Sequence, residues 1–225
     1  MRIDFQGRIP EPSGEGATVI GRSRMGRDIE ELAWGDAAKS IVFLSGFGAD
    51  DKPVSETLLR WKNHLDEADR YGGILGDFDL KNLRSKCRIR MIPVINPDCC
   101  KINQNGIYRN FPYKKISLEQ ERNHETISDG TKNIRGVDLN RNFNAKWLQM
   151  KSENPNRDDF GAFPESEVET ASLTGRMRKD LPSSAIILRT GNDTLIYPEE
   201  ATAKELREAT FLGQYGRLSV RKATD

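Results

Sequence analysis

SIVFLSGFG (40–48) is an apolar run of strand length. A strand with one wet face alternates apolar and polar residues, whereas a continuous run suits a strand buried on both faces. ADDKP (49–53) follows, with two acids and a proline, and this is a helix-start signal. Val54, Leu58, Trp61 and Leu65 then recur at helical spacing, which predicts an amphipathic helix over 54–70.

The same alternation extends in both directions. Upstream, ATVIGRS (17–23) and IEELAWG (29–35) flank the turn MGRD and predict a hairpin. The Pro- and Gly-rich residues 1–16 read as a lead-in segment. Downstream, RIRMIPVI (88–95) is a second buried strand, closed by an NPD turn. Residues 99–135 are polar and aperiodic, as functional loops often are. PESEVETASLTGRMRKD (164–180) predicts another amphipathic helix, and AIILR (185–189) a third buried strand. TLIYP (194–198), a helix over 201–213 stopped by Gly213, and GRLSV (216–220) complete the chain. Buried strands alternating with helices predict an α/β fold: a mixed, largely parallel central sheet with flanking helices, in one domain over 17–225.

The 225 residues are 36% hydrophobic and 31% charged, which is polar for a globular domain without being a disorder signature. Lys plus Arg number 35 against 34 Asp plus Glu, so no charge excess points to nucleic acid or a membrane surface. The opening sixteen residues carry no signal-peptide core, and no run reaches the ~18 apolar residues of a membrane span. The expectation is a cytoplasmic protein. Cys87, Cys99 and Cys100 are a poor disulfide framework and read as reduced thiols. His64 and His124 are the only histidines.

Several motifs, in order, resemble the zinc carboxypeptidases, the metallopeptidases related to carboxypeptidases A and B. IGRSRMGRDIEELAWG (20–35) is similar to that family's opening hairpin, and VINPD (94–98) to its NPDG turn with Cys99 in place of glycine. KNIRGVDLNRNF (132–143) is the most specific match. FPESEVET (163–170) and ILRTGNDTLIYP (187–198) resemble the acidic helix start and the strand of the last zinc ligand. The likeness spans residues 17–220.

The resemblance implies a zinc ion held by an H-x-x-E pair and a later histidine, an arginine at the oxyanion, an Asn-Arg grip on the substrate's terminal carboxylate, and a glutamate base. The H-x-x-E falls on Gly48, Ala49, Asp50 and Asp51. The later histidine falls on Arg189, or on Thr190 with a one-residue shift. Gly48 has no ligand atom, and a guanidinium has no lone pair to offer. A catalytic zinc takes about three protein ligands plus water. No zinc is therefore expected at the family ligand positions Gly48, Asp51 and Arg189. His64 and Glu67 spell H-x-x-E but lie mid-helix, where they read as a chance match, and His124 reads as solvated.

Asn140 and Arg141 align with the carboxylate grip and Arg135 with the oxyanion arginine. The alternative is local: Asn140 capping backbone groups and Arg141 pairing with an acidic neighbour. The strand expected to bear the base glutamate has no counterpart, so the C-terminal part of the family fold reads as missing. The expected function is a catalytically inactive relative of the metallocarboxypeptidases that keeps a pocket for a peptide or protein C-terminus. An active enzyme with atypical ligands and a fragment of a disrupted gene are the alternatives. Arg189 and Asp51 are expected to pair in the place of the metal.

Overall fold

In the computed structural model, the described residues are 17–75, 78–99, 131–191, 194–216 and 218–223. The lead-in 1–16, Cys100, His124 and nearly all of the polar 99–135 stretch lie outside them. The chain forms two compact units that divide after Arg189.

The first unit is built on a five-stranded sheet among the described residues. β1 (Ala17–Arg22), β2 (Asp28–Trp34) and β3 (Ser40–Leu44) come first, and β3 leads into α1 (Lys52–Arg70). A short hairpin, β4 (Ile74–Leu75) with β5 (Phe78–Asp79), precedes α2 (Leu80–Lys86). Next come β6 (Arg88–Ile92), α3 (Trp147–Glu153), α4 (Val168–Lys179) and β7 (Ser184–Ile187). The strand order is β1-β2-β6-β3-β7. β1–β2 and β2–β6 are antiparallel, while β6–β3 and β3–β7 are parallel, so the sheet is mixed. β3 and β6 are buried as expected, but β7, expected to be a third buried strand, has no buried residue: it lies at the end of the sheet among the described residues, and Ile187 is 53% exposed.

Alternate residues of each strand serve opposite faces. Leu32, Trp34, Ile89 and Met91 pack with Leu59 and Leu65 of α1 and Leu80 of α2. Ile29, Val42, Leu44 and Ile92 pack with Leu173 of α4 and Leu139 on the other face. β1 lies close under α4: a Cβ at Gly21 would sit 2.0 Å from Ser172 Oγ.

That second face also buries charge. Arg90 is 0% exposed and Glu31 1%. Arg90 Nη2 donates to Glu31 Oε2 at 2.7 Å, and Arg176 of α4 donates to the same carboxylate through Nε (3.1 Å) and Nη2 (2.7 Å). Arg90 Nη1 donates to the Asp180 carbonyl at 2.7 Å, while its Nε has no hydrogen-bond partner among the described residues. The hydrogen bond to Glu31 holds the Arg176 guanidinium above its ordinary pKa.

The second unit is a β-α-β element. β8 (Thr194–Tyr197) and β9 (Ser219–Lys222) pair in parallel and are joined through α5 (Ala203–Gly216). Thr202 and Glu205 form a reciprocal capping box: Thr202 N donates to Glu205 Oε2 at 2.7 Å, and Glu205 N to Thr202 Oγ1 at 3.3 Å. Gly213 does not end this helix as expected. A Cβ there would lie 2.0 Å from Val220 Cγ2, so its bare backbone admits β9 against the helix.

The helix expected from 164 begins at Val168. Glu165 has a left-handed backbone (φ 60°), and its N–H donates to the Asn142 carbonyl at 2.5 Å, so residues before 168 belong to a turn. No helix among the described residues is long and apolar enough to cross a membrane.

Candidate functional site

Three segments of the first unit converge at the C-terminal end of β3: the turn after β3, the 3₁₀ turn Leu139–Arg141, and the residues leaving β7. Gly48 is buried and extended (φ −139°, ψ 172°) just before the 3₁₀ turn Ala49–Asp51. Asp51 directly precedes α1 but makes no side-chain cap bond to it. Its side chain turns back instead: Oδ2 accepts from Phe47 N at 3.1 Å, and Oδ1 accepts from Arg189 Nε at 2.9 Å. The sequence signal for a helix start is thus met by an acid whose partners lie elsewhere.

Arg189 joins all three segments. Its Nη1 donates to Asn140 Oδ1 at 2.7 Å, and its guanidinium carbon lies 5.6 Å from the centre of the Phe47 ring. Asp51 is 1% exposed and the Arg189 side chain 35%, so the pair has one buried and one wet end. The expected pairing of these residues is present, and it is Arg189 that reaches Asp51.

Asp138 caps the 3₁₀ turn through Oδ1, which accepts from Asn140 N at 3.0 Å and from Asn140 Nδ2 at 2.8 Å. Its Oδ2 lies 3.3 Å from Arg141 Nε, and Asp159 Oδ2 lies 3.8 Å from that same nitrogen. The Arg141 guanidinium carbon stands 5.5 Å from the centre of the Phe160 ring. Hydrogen bonds from Arg157, first among several influences, hold the Asp159 carboxyl below its ordinary pKa.

Arg135 sits apart from this chain of contacts. Its Nη1 donates to Glu167 Oε1 at 3.3 Å, and Asn133 Nδ2 donates to Glu167 Oε2 at 2.8 Å. The hub of this second network is Asn142, whose importance the sequence does not announce. Its Nδ2 donates to Phe160 O (2.9 Å), Phe163 O (3.2 Å) and Ser166 Oγ (3.0 Å), and its Oδ1 accepts from Glu167 N (3.0 Å). Gly161 has φ +81°, and a Cβ there would lie 2.5 Å from Asn142 Nδ2, so only glycine lets the amide pass. Asp138 and Asn142 flank Asn140 and Arg141 inside the motif GVDLNRNF, and their place in it is the signal that could have found them.

His64 and Glu67 are on the exposed face of α1. Among the described residues no cluster of three or more His, Cys, Asp and Glu could hold a metal ion. Cys87 and Cys99 form no disulfide.

Behind this site, Glu169 is 0% exposed. Its Oε1 accepts from Arg24 N at 3.0 Å, while Oε2 has no hydrogen-bond partner among the described residues. Burial raises its pKa above the ordinary 4.5; the Arg24 bond opposes this, and the nearby Asp98 and Glu167 carboxylates add to it. A raised folded-state pKa means that the proton favours the fold. That contribution is full below the unfolded value and is lost as pH rises through the folded one. Glu169→Gln, neutral at every pH, is expected to match the parent chain in acid and to melt at a higher temperature near neutrality. Melting curves from about pH 4 to about pH 8 check this, and a pH-independent difference would overturn it.

The sequence profile of the zinc carboxypeptidases matches residues 16–221. The chain belongs to that family. Among curated proteins, this zinc carboxypeptidase family member is 26% identical over 165 residues to the γ-D-glutamyl-L-diamino acid endopeptidase 1 of Lysinibacillus sphaericus, covering 72% of this chain and 42% of that protein. It spans about half the length of the curated relatives it matches first (42% and 54%). Among solved structures it resembles bovine thrombin-activatable fibrinolysis inhibitor (TM-score 0.62, 18% identity, 94% of this chain and 70% of that one). It also resembles the murein-tripeptide amidase MpaA of Escherichia coli O157 (TM-score 0.58, 20% identity, 94% and 74%). These likenesses establish the zinc carboxypeptidase fold.

Proposed function

We propose that this chain is a non-hydrolytic member of the zinc carboxypeptidase family that binds peptides by a carboxylate. One observation carries the reading: the Arg189 guanidinium, a permanent cation, donates to Asp51 Oδ1 at 2.9 Å. Asp51, Gly48 and Arg189 are the positions that the motifs align with the family's ligands, and together they do not fit zinc. Gly48 offers no atom, Arg189 offers only donors, and Asp51 already has its counter-cation. Zinc lowers the pKa of bound water to about 7 and supplies the nucleophile in such enzymes. Nothing in this donor set would do the same.

Carboxylate binding is supported by Arg141. Its Nε faces Asp138, and neither Nη is hydrogen-bonded among the described residues, which leaves the planar edge suited to a carboxylate fork. The names of the relatives set the peptides to try: C-terminal residues of ordinary peptides, and γ-D-glutamyl-diamino acid bonds.

The test is elemental analysis of the purified chain together with hydrolysis assays at added zinc. Peptides with apolar, basic and acidic ends, and a γ-D-glutamyl-diamino acid peptide, are the substrates. No stoichiometric zinc and no release are expected. Chelator-sensitive release from any of the substrates would overturn the reading. The triple substitution Gly48→His, Asp51→Glu and Arg189→His is expected to restore zinc affinity more readily than turnover.

A further inference from the structure

Arg189 and Arg141 share one construction. Each turns its Nε toward acid: Arg189 Nε donates to Asp51 Oδ1 at 2.9 Å, whereas Arg141 Nε lies 3.3 Å from Asp138 Oδ2 without a hydrogen bond. Each guanidinium lies near a phenyl ring, 5.6 Å from Phe47 and 5.5 Å from Phe160. Each is partly wet, with side chains 35% and 27% exposed. The two are joined through one short relay, because Asn140 takes Arg189 Nη1 on its oxygen and gives its Nδ2 to Asp138, the acid that faces Arg141. Among the described residues, Arg189 Nη2 and both Nη atoms of Arg141 make no hydrogen bond.

Two cations with unused donors, on adjacent and bridged supports, suit two anionic groups at once. We infer that Arg189 and Arg141 together bind a ligand carrying two carboxylates, one on each arginine: a small dicarboxylate, or a peptide that ends in an acidic residue. This rests on the reading that a guanidinium, and not zinc, stands against Asp51. Hydrogen bonds to Asp51 and Asn140 fix Arg189 beforehand, so less of its rotamer freedom is lost when the ligand arrives, while Arg141 is placed by ion pairing with Asp138 and Asp159 and by the Phe160 ring. The Asn140 amide is satisfied on both of its ends within the relay, so the guanidinia are the donors left for the ligand. Around them, Asp51, Asp138 and Asp159 balance Arg141, Arg157 and Arg189. With no net local charge, recognition depends on donor geometry rather than on long-range attraction.

Calorimetry with succinate, propionate, glycyl-L-aspartate and glycyl-L-asparagine tests this on the full chain in the presence of a chelator. Succinate is expected to bind at least about tenfold tighter than propionate, each tenfold being about 1.4 kcal/mol. Preference for glycyl-aspartate over glycyl-asparagine by a similar factor would mark peptide ends as the source, and a preference confined to succinate would mark the free diacid. Arg189→Met is expected to erase the two-carboxylate preference while leaving monocarboxylate binding, and Arg141→Met to remove both. Arg189→Lys, which keeps the charge, is expected to retain part of the preference and guards against loss through misfolding. Equal binding of succinate and propionate, or a preference unaffected by Arg189→Met, would overturn the inference. Affinity that appears only with zinc and vanishes with chelator would instead overturn the non-hydrolytic reading.

Discussion

Glu31→Leu is expected to lower the stability of the first unit by about 3–5 kcal/mol, the usual cost of stranding a buried charge. Glu31 takes hydrogen bonds from Arg90 and Arg176 together. Without it, Arg90, which is 0% exposed, keeps one carbonyl bond and an Asp180 oxygen at 3.7 Å. Arg176 is less affected, because its side chain is 15% exposed and retains Asp180 at 3.1 Å. The double change Glu31→Leu with Arg90→Met removes the stranded cation and is expected to recover most of the loss, as apolar replacement of a buried pair often does. Urea denaturation followed by tryptophan fluorescence reads both, since Trp34, Trp61 and Trp147 all lie in the first unit. A single-variant loss below about 1 kcal/mol would contradict the buried network.

Asn142→Ala is expected to cost about 3 kcal/mol, from several buried polar groups left unpaired at about 1–3 kcal/mol each before relaxation. The Phe160 carbonyl keeps Trp147 Nε1 at 3.1 Å, so the loss concentrates on Phe163, Ser166 and the Glu167 N–H. Asn142→Asp distinguishes this network from simple packing. It preserves the acceptor for Glu167 N but aims a carboxylate at three oxygens, and it is expected to cost at least as much as alanine. If the aspartate variant proved as stable as the parent chain, the amide would not be the hub.

The α/β architecture was legible at 40–44, where the apolar run exceeded what a wet strand tolerates, and the strands at 88–92 and 184–187 were found in place. The burial of β7 was misjudged, because an apolar edge strand and an apolar central strand look alike in sequence. The strand order was not legible, because nothing local tells β6 to insert between β2 and β3. Burial of charge was hidden as well. Glu30 and Glu31 are neighbours of the same type, and the partners that let Glu31 be an interior residue, Arg90 and Arg176, lie 59 and 145 residues away. At the site, the juxtaposition of Asp51 and Arg189 followed from motif order, since the family pattern brings those positions together. The ties of Arg141 to Asp138 and Asp159, and of Arg135 to Glu167, needed coordinates. Gly213 misled because a glycine that stops a helix and one that admits a neighbouring strand look alike in sequence.

β7 joins the outer edge of β3 from about 140 residues along the chain, pairing Leu44 with Ile187, and it delivers Arg189 to Asp51. At ~5–20 residues per second, a ribosome needs roughly 7–28 s to pass from Asp51 to Arg189. Throughout that interval a nascent chain holds Asp51 without its cation and β3 with an unpaired edge. The Asp51–Arg189 pair is therefore the last part of the first unit to come into being during synthesis, and translation that stops before residue 184 yields a chain with neither the strand nor the pair.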